Sequence, residues 1–168
     1  MALSGPSALF LAWSLHDVEE AVAFPASSRR LADATGIDAL RMDHTQGIVA
    51  IGLMGVIVAT ACVRGARSEG RSRLYRAAVA GLEAHVWTHV MQSVAMRGYT
   101  AGVATAVPVM LPGAVRARRE LELAGSPLSR ADRAGGAAFM WAAAMACQGA
   151  ARVIVRSVRR RHEPDATR

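Results

Sequence analysis

The chain has 168 residues, 52% of them hydrophobic and 20% charged, with a formal net charge of +7. That length suits one domain, the apolar content excludes a disordered chain, and two cysteines, Cys62 and Cys147, both in apolar runs, exclude a disulfide-stapled scaffold. A basic chain ordinarily suggests a nucleic-acid partner, but here the basic residues lie between apolar blocks, as in loops flanking membrane spans, so no nucleic acid is expected.

A bilayer core needs about 20 mostly apolar residues in a helix. The first predicted span runs from about Pro6 to Phe24 and stops at Pro25. Its start lacks basic residues and acidic ones interrupt it, so it does not read as a cleaved signal peptide. A loop from Ala26 to Asp43 follows, long enough for a small interfacial helix. The second span, His44 to Val63, is the cleanest; the third, Leu74 to Met96, contains Glu83, His85 and His89. The fourth, Tyr99 to Val115, is short and expected to kink at Pro108 and Pro112. The fifth, Ala134 to Val155, is Ala-rich and leads into Arg156 and a basic polar tail over 159–168. The expectation is an all-α integral membrane bundle of about five transmembrane helices, or four if the fourth segment does not cross, forming one domain over 1–158.

Gly47, Gly52 and Gly55 in the second span, and Gly135, Gly136 and Gly149 in the fifth, suit close helix packing, and a homodimer is compatible with them. All twenty Lys or Arg positions are Arg, and Asn is absent, which reads as a GC-rich bacterial genome; with the predicted spans, the expected location is the inner (cytoplasmic) membrane, as a multi-pass protein. Arg is spread nearly evenly over both sides, so orientation stays open. Trp13, Trp87 and Trp141 read as packing groups or interface anchors.

Ionisable groups inside a span cost roughly 2.5–3.5 kcal/mol each. His16, Glu19 and Glu20 are spaced i, i+3, i+4 and share a face, with Asp17 about 100° away. His85 and His89 share a face of the third span, continued by Gln92, while Glu83 lies roughly opposite. Both clusters fall roughly 6–16 Å from the same membrane face, where His44 opens the second span. His16, His44, His85, His89, Glu19 and Glu20 are therefore expected to converge as metal ligands, with Gln92 and Glu83 as supporting hydrogen-bonding groups. His162, in the tail, reads as solvated.

Imidazoles with carboxylates are the donor set of zinc and non-haem iron, and this set is large enough for one or two ions. His16-Asp17-Val18-Glu19-Glu20 in a small multi-span chain resembles the HXXEE family of bacterial membrane proteins. The resemblance implies a multi-span helical protein with His16, Glu19 and Glu20 as its signature and adds no activity. The expected function is a membrane-embedded metal-dependent enzyme acting on a lipid-like or apolar substrate, by oxidation or hydroxylation with iron and by hydrolysis with zinc. Two alternatives stay open. One is metal-independent acid–base catalysis by Glu19 or Glu20, as in cyclisation or isomerisation of a lipid-like substrate. The other is a non-enzymatic protein that handles protons or metal ions.

Overall fold

A computed structural model describes residues 3–162, and these form five helices with no strand among them. Helix α1 spans Gly5–Thr35. Ser4 caps it, Pro6 lies in its first turn, where a missing N–H costs nothing, and Gly36 ends it in the left-handed region at φ 70°. Helix α2 spans His44–Arg67 and opens on a capping box, in which Asp43 accepts from the Gln46 amide at 2.9 Å while the Gln46 side chain reaches back to the Asp43 amide. Helix α3 spans Arg73–Ala95 behind Ser72, whose hydroxyl accepts from Tyr75 N.

The fourth helix, α4, covers 103–123 in three pieces: a turn Val103–Thr105, a π-helical stretch Ala106–Met110 and a regular run Leu111–Leu123. The prolines the sequence marks as kinks fall in or just after the π stretch, whose wider turn accommodates the missing donors. Helix α5 spans Arg130–His162, entered through a reciprocal pair in which Asp132 accepts from Ser129 N and Ser129 accepts from Asp132 N.

Several expected boundaries are corrected, among them the end of the fourth helix, which runs to Leu123 rather than Val115, the end of the second, at Arg67 rather than Val63, and the start of the fifth, at Arg130 rather than Ala134. Helix α1 does not stop at Pro25; it continues to Thr35 and absorbs much of the anticipated loop, leaving only the 3₁₀ turn Asp38–Leu40 before α2. Proline removes one hydrogen bond locally, and the residues after it, including Arg29, Arg30, Leu31 and Ala32, favour helix up to the Gly36 cap. The fourth helix begins at Val103 rather than Tyr99, because Gly102 holds a positive φ of 84°. The fifth runs through Arg159, Arg160 and Arg161, so the anticipated tail is helical that far, and 163–168 lie outside the described residues.

Helix α1 packs on α2 and α4, and α3 packs on α2, α4 and α5, but α1 and α3 make no extended backbone contact with one another. They sit on a diagonal, with α2 on one side and α4 on the other. Close crossings come from glycine: a Cβ on Gly81 would stand 2.5 Å from the Gly136 carbonyl, and one on Gly113 would overlap Ala12. Of the glycines read as packing residues, Gly55 meets Trp13 and Gly136 meets α3, whereas Gly47, Gly52, Gly135 and Gly149 face no neighbour within 4 Å. Leu9, Val58, Val79, Leu82, Val86 and Met110 form the dry core, and both cysteines are buried thiols. Two helices, α2 and α5, are long and apolar enough to cross a membrane. Val22, Met91, Val94, Trp141 and Val153 point outward, each more than 60% exposed.

Candidate metal centre

The diagonal gap between α1 and α3 is filled by side chains. His16 and Glu20 enter from α1, His85 and His89 from α3, and one ligand atom from each lies within 4.8 Å of the other three. His16 is fully buried and His89 nearly so, while Glu20 and His85 are half-buried. His89 Nε2 stands 3.2 Å from His16 Nε2, 2.8 Å from His85 Nε2 and 3.4 Å from Glu20 Oε1. The three rings meet edge to face, at interplanar angles of 71° to 89°, so their nitrogens converge rather than their faces stacking.

The outer nitrogens fix what the inner ones offer. His89 Nδ1 donates to the Ala101 carbonyl at 2.8 Å, since a carbonyl only accepts. In the neutral ring Nε2 is then a bare lone pair. His16 Nδ1 lies 2.9 Å from Thr105 Oγ1. That hydroxyl gives its one hydrogen to Glu19 Oε2 at 2.6 Å, so towards His16 it can only accept, and His16 Nε2 is bare as well. Two lone pairs thus face each other across 3.2 Å inside a buried site, with a third imidazole and a carboxylate beside them. A cation placed between them would relieve this repulsion. With ligand bonds of roughly 2.0–2.1 Å, tetrahedral zinc separates neighbouring donors by about 3.3 Å. The three spacings from His89 Nε2, at 2.8, 3.2 and 3.4 Å, bracket that edge, and the four donors together could hold an ion.

The segment after α3 closes the site. Gly102 lies against the imidazoles, where a Cβ would stand 2.6 Å from His89 Cε1 and 2.8 Å from His16 Cε1. The part of α1 beyond Pro25 holds this segment in place: Ser27 Oγ accepts from Ala101 N at 2.8 Å and Arg30 donates to the Tyr99 carbonyl at 3.0 Å.

Four of the residues expected as ligands come together and two do not. Glu19 is turned out of the group: Oε2 accepts from the Thr105 amide and hydroxyl, and Oε1 from Tyr99 OH at 2.6 Å and Ala104 N at 3.3 Å. His44 is exposed at the start of α2 and stands outside the group, because the ten further residues of α1 place its N-terminus away from the site. Of the expected supporting groups, Glu83 faces α4 instead, pairing with Arg118 at 3.2 Å. Gln92 is half-buried one turn beyond His89, and the side chain of His162 lies outside what is described.

Sequence reasoning missed Thr105, Tyr99, Ala101 and Gly102. A carbonyl, a glycine and a hydroxyl in an apolar stretch carry no titratable signal; the one cue was a polar pair, Tyr99 and Thr105, flanking Gly102. The Tyr99 phenol is pushed up to about 12, by burial and by the Glu19 carboxylate to which it donates. A family model described as "Protein of unknown function with HXXEE motif" matches residues 7–117, which takes in His16, Glu20, His85, His89, Gly102 and Thr105. No curated protein and no solved structure is recognisably similar to the chain.

Proposed function

The chain belongs to the HXXEE family, and we propose that it is a membrane-embedded metal-dependent enzyme acting on a lipid-like or apolar substrate. One observation carries the reading: three imidazoles and one carboxylate each bring a ligand atom within 4.8 Å of the others, while the outer nitrogens of His16 and His89 are engaged by Thr105 and Ala101. Such an arrangement is the normal donor set of a divalent metal ion. His16, Glu20, His85 and His89 hold a single ion in this reading; zinc there would supply hydrolytic chemistry and iron oxidative chemistry.

The apolar substrate follows from the surroundings. Val18, Val22 and Met91, neighbours in sequence of the clustered residues, are exposed on the outer faces of α1 and α3, so the bundle presents apolar surface around the site. The outward Val and Trp side chains, with the two helices able to span a bilayer, support membrane association, and in this reading the chain is a multi-pass protein of a bacterial inner membrane. The acid–base alternative falls to Glu20, since Glu19 is held by four hydrogen bonds.

The test is metal content of the detergent-purified protein by mass spectrometry, wild type beside His16→Ala and His89→Ala. About one equivalent of zinc or iron in the wild type, lost in both variants, is the expected result. A folded wild type that stays empty after anaerobic reconstitution with both metals would overturn the reading and leave proton chemistry at Glu20.

A further inference from the structure

We propose that the two glutamates of the His16-x-x-Glu19-Glu20 motif divide the work: Glu20 is a ligand, and Glu19 is a positioning residue that sets the tautomer of His16 through Thr105. The proposal rests on the metal reading for its consequence but not for its geometry.

Consecutive helical residues point about 100° apart, and of this pair only Glu20 places a carboxylate oxygen within the group of four. Glu19 meets the start of α4 instead, and its four hydrogen-bond donors leave it acceptor-only. Direction along the chain of bonds follows. The Thr105 hydrogen is drawn to Glu19 at 2.6 Å, and the Thr105 oxygen then takes the His16 Nδ1 hydrogen at 2.9 Å. The inward nitrogen of His16 is left without a proton. The logic is that of a carboxylate orienting a metal-bound histidine, with one hydroxyl inserted between the two. It accounts for a second glutamate beside a ligand, and for a threonine at Thr105 among alanines and valines.

Two substitutions break the chain differently. Thr105→Val keeps the side-chain shape and removes the hydroxyl. Thr105→Ser keeps the hydroxyl and serves as rescue. The readout is the ¹⁵N imidazole spectrum of metal-free, detergent-solubilised full-length protein, followed by zinc titration. In the wild type and in Thr105→Ser, His16 is expected with its proton on Nδ1 and with equal zinc affinity. In Thr105→Val the Nε2–H form is expected to appear, and zinc affinity to fall about 10- to 100-fold. A purely structural threonine would change thermal stability and leave the tautomer alone. The proposal is overturned if the wild-type proton sits on Nε2, or if Thr105→Val keeps both the wild-type spectrum and the wild-type affinity. If the tautomer shifts as expected but the wild type takes up no zinc or iron, the positioning role stands and the metal reading falls.

Discussion

Gly102 is where the backbone comes closest to the imidazoles. Its φ of 84° is a conformation that costs other residues about 1–2 kcal/mol, and a Cβ there would press on both His16 and His89. Gly102→Ala is therefore expected to displace the two rings, lowering zinc affinity about tenfold or more and stability by at least that backbone cost. Zinc titration and thermal unfolding read the two effects separately, and wild-type affinity in this variant would place the rings elsewhere. The four residues that come together were legible in the sequence, because His and Glu at i, i+3 and i+4 in apolar helices are costly unless they face a partner or an ion inside the bundle. The division between Glu19 and Glu20 was not. Spacing along one helix shows which residues share a face, and only the partner across the gap shows which of two neighbours reaches the centre. Thr105 was silent for the same reason, since a hydroxyl in an apolar run ordinarily bonds to its own helix.

At the scale of elements, the stretch of α1 past Pro25 holds the site's cover. Ser27→Ala removes the acceptor for Ala101 N, whose own carbonyl orients His89. We expect hydrogen exchange to quicken over residues 96–102 while the rest of α1 stays protected, with a stability loss of about 1 kcal/mol; unchanged exchange there would detach the cover from α1. This extension was hidden because Pro25 after an apolar run reads as a stop, and the helix-forming residues beyond it read as loop beside charged ones.

The entry to α5 has its own lock. Arg76 of α3 bonds Asp132 at 2.9 Å and the backbone of Ser126 and Pro127, pinning the α4–α5 turn. The Arg76 guanidinium, with the Ser129 amide and hydroxyl, holds the Asp132 carboxyl well below its ordinary value of 3.8. A carboxylate whose folded value is depressed contributes stability fully present above its unfolded value, and lost as pH falls from there towards the folded one. The thermal-stability gap between wild type and Asp132→Asn is thus expected to be constant from neutral pH to about 5 and to shrink below 3.8. A gap that widens as acid is added would reverse the sign and deny Asp132 this role.

For the molecule as a whole, the five helices and their order were readable from apolar block lengths, but their arrangement was not. Nothing in the periodicity says that α1 and α3 stand on a diagonal, yet that placement makes room for the four clustered side chains and explains why polar groups recur in these two helices. The polar stripes also carry α1 and α3 away from the composition of a simple span, so the two helices apolar enough by that measure are α2 and α5. The surroundings of the bundle can be read with its own tryptophans. Trp13 is buried against Gly55 and stacks on Phe10, whereas Trp87 is 53% and Trp141 69% exposed. Three variants, each keeping one tryptophan and replacing the others by Phe, would be reconstituted into vesicles with brominated acyl chains. If the bundle lies in the bilayer, fluorescence from Trp87 and from Trp141 is quenched by the bromines and resists aqueous iodide, while Trp13 is quenched least. Should iodide reach Trp87 and Trp141 and bromine not, those faces meet water or a protein partner. The bundle would then be a helical protein outside the membrane, with the geometry of His16, Glu20, His85 and His89 unaltered and no apolar phase from which a lipid-like substrate could enter.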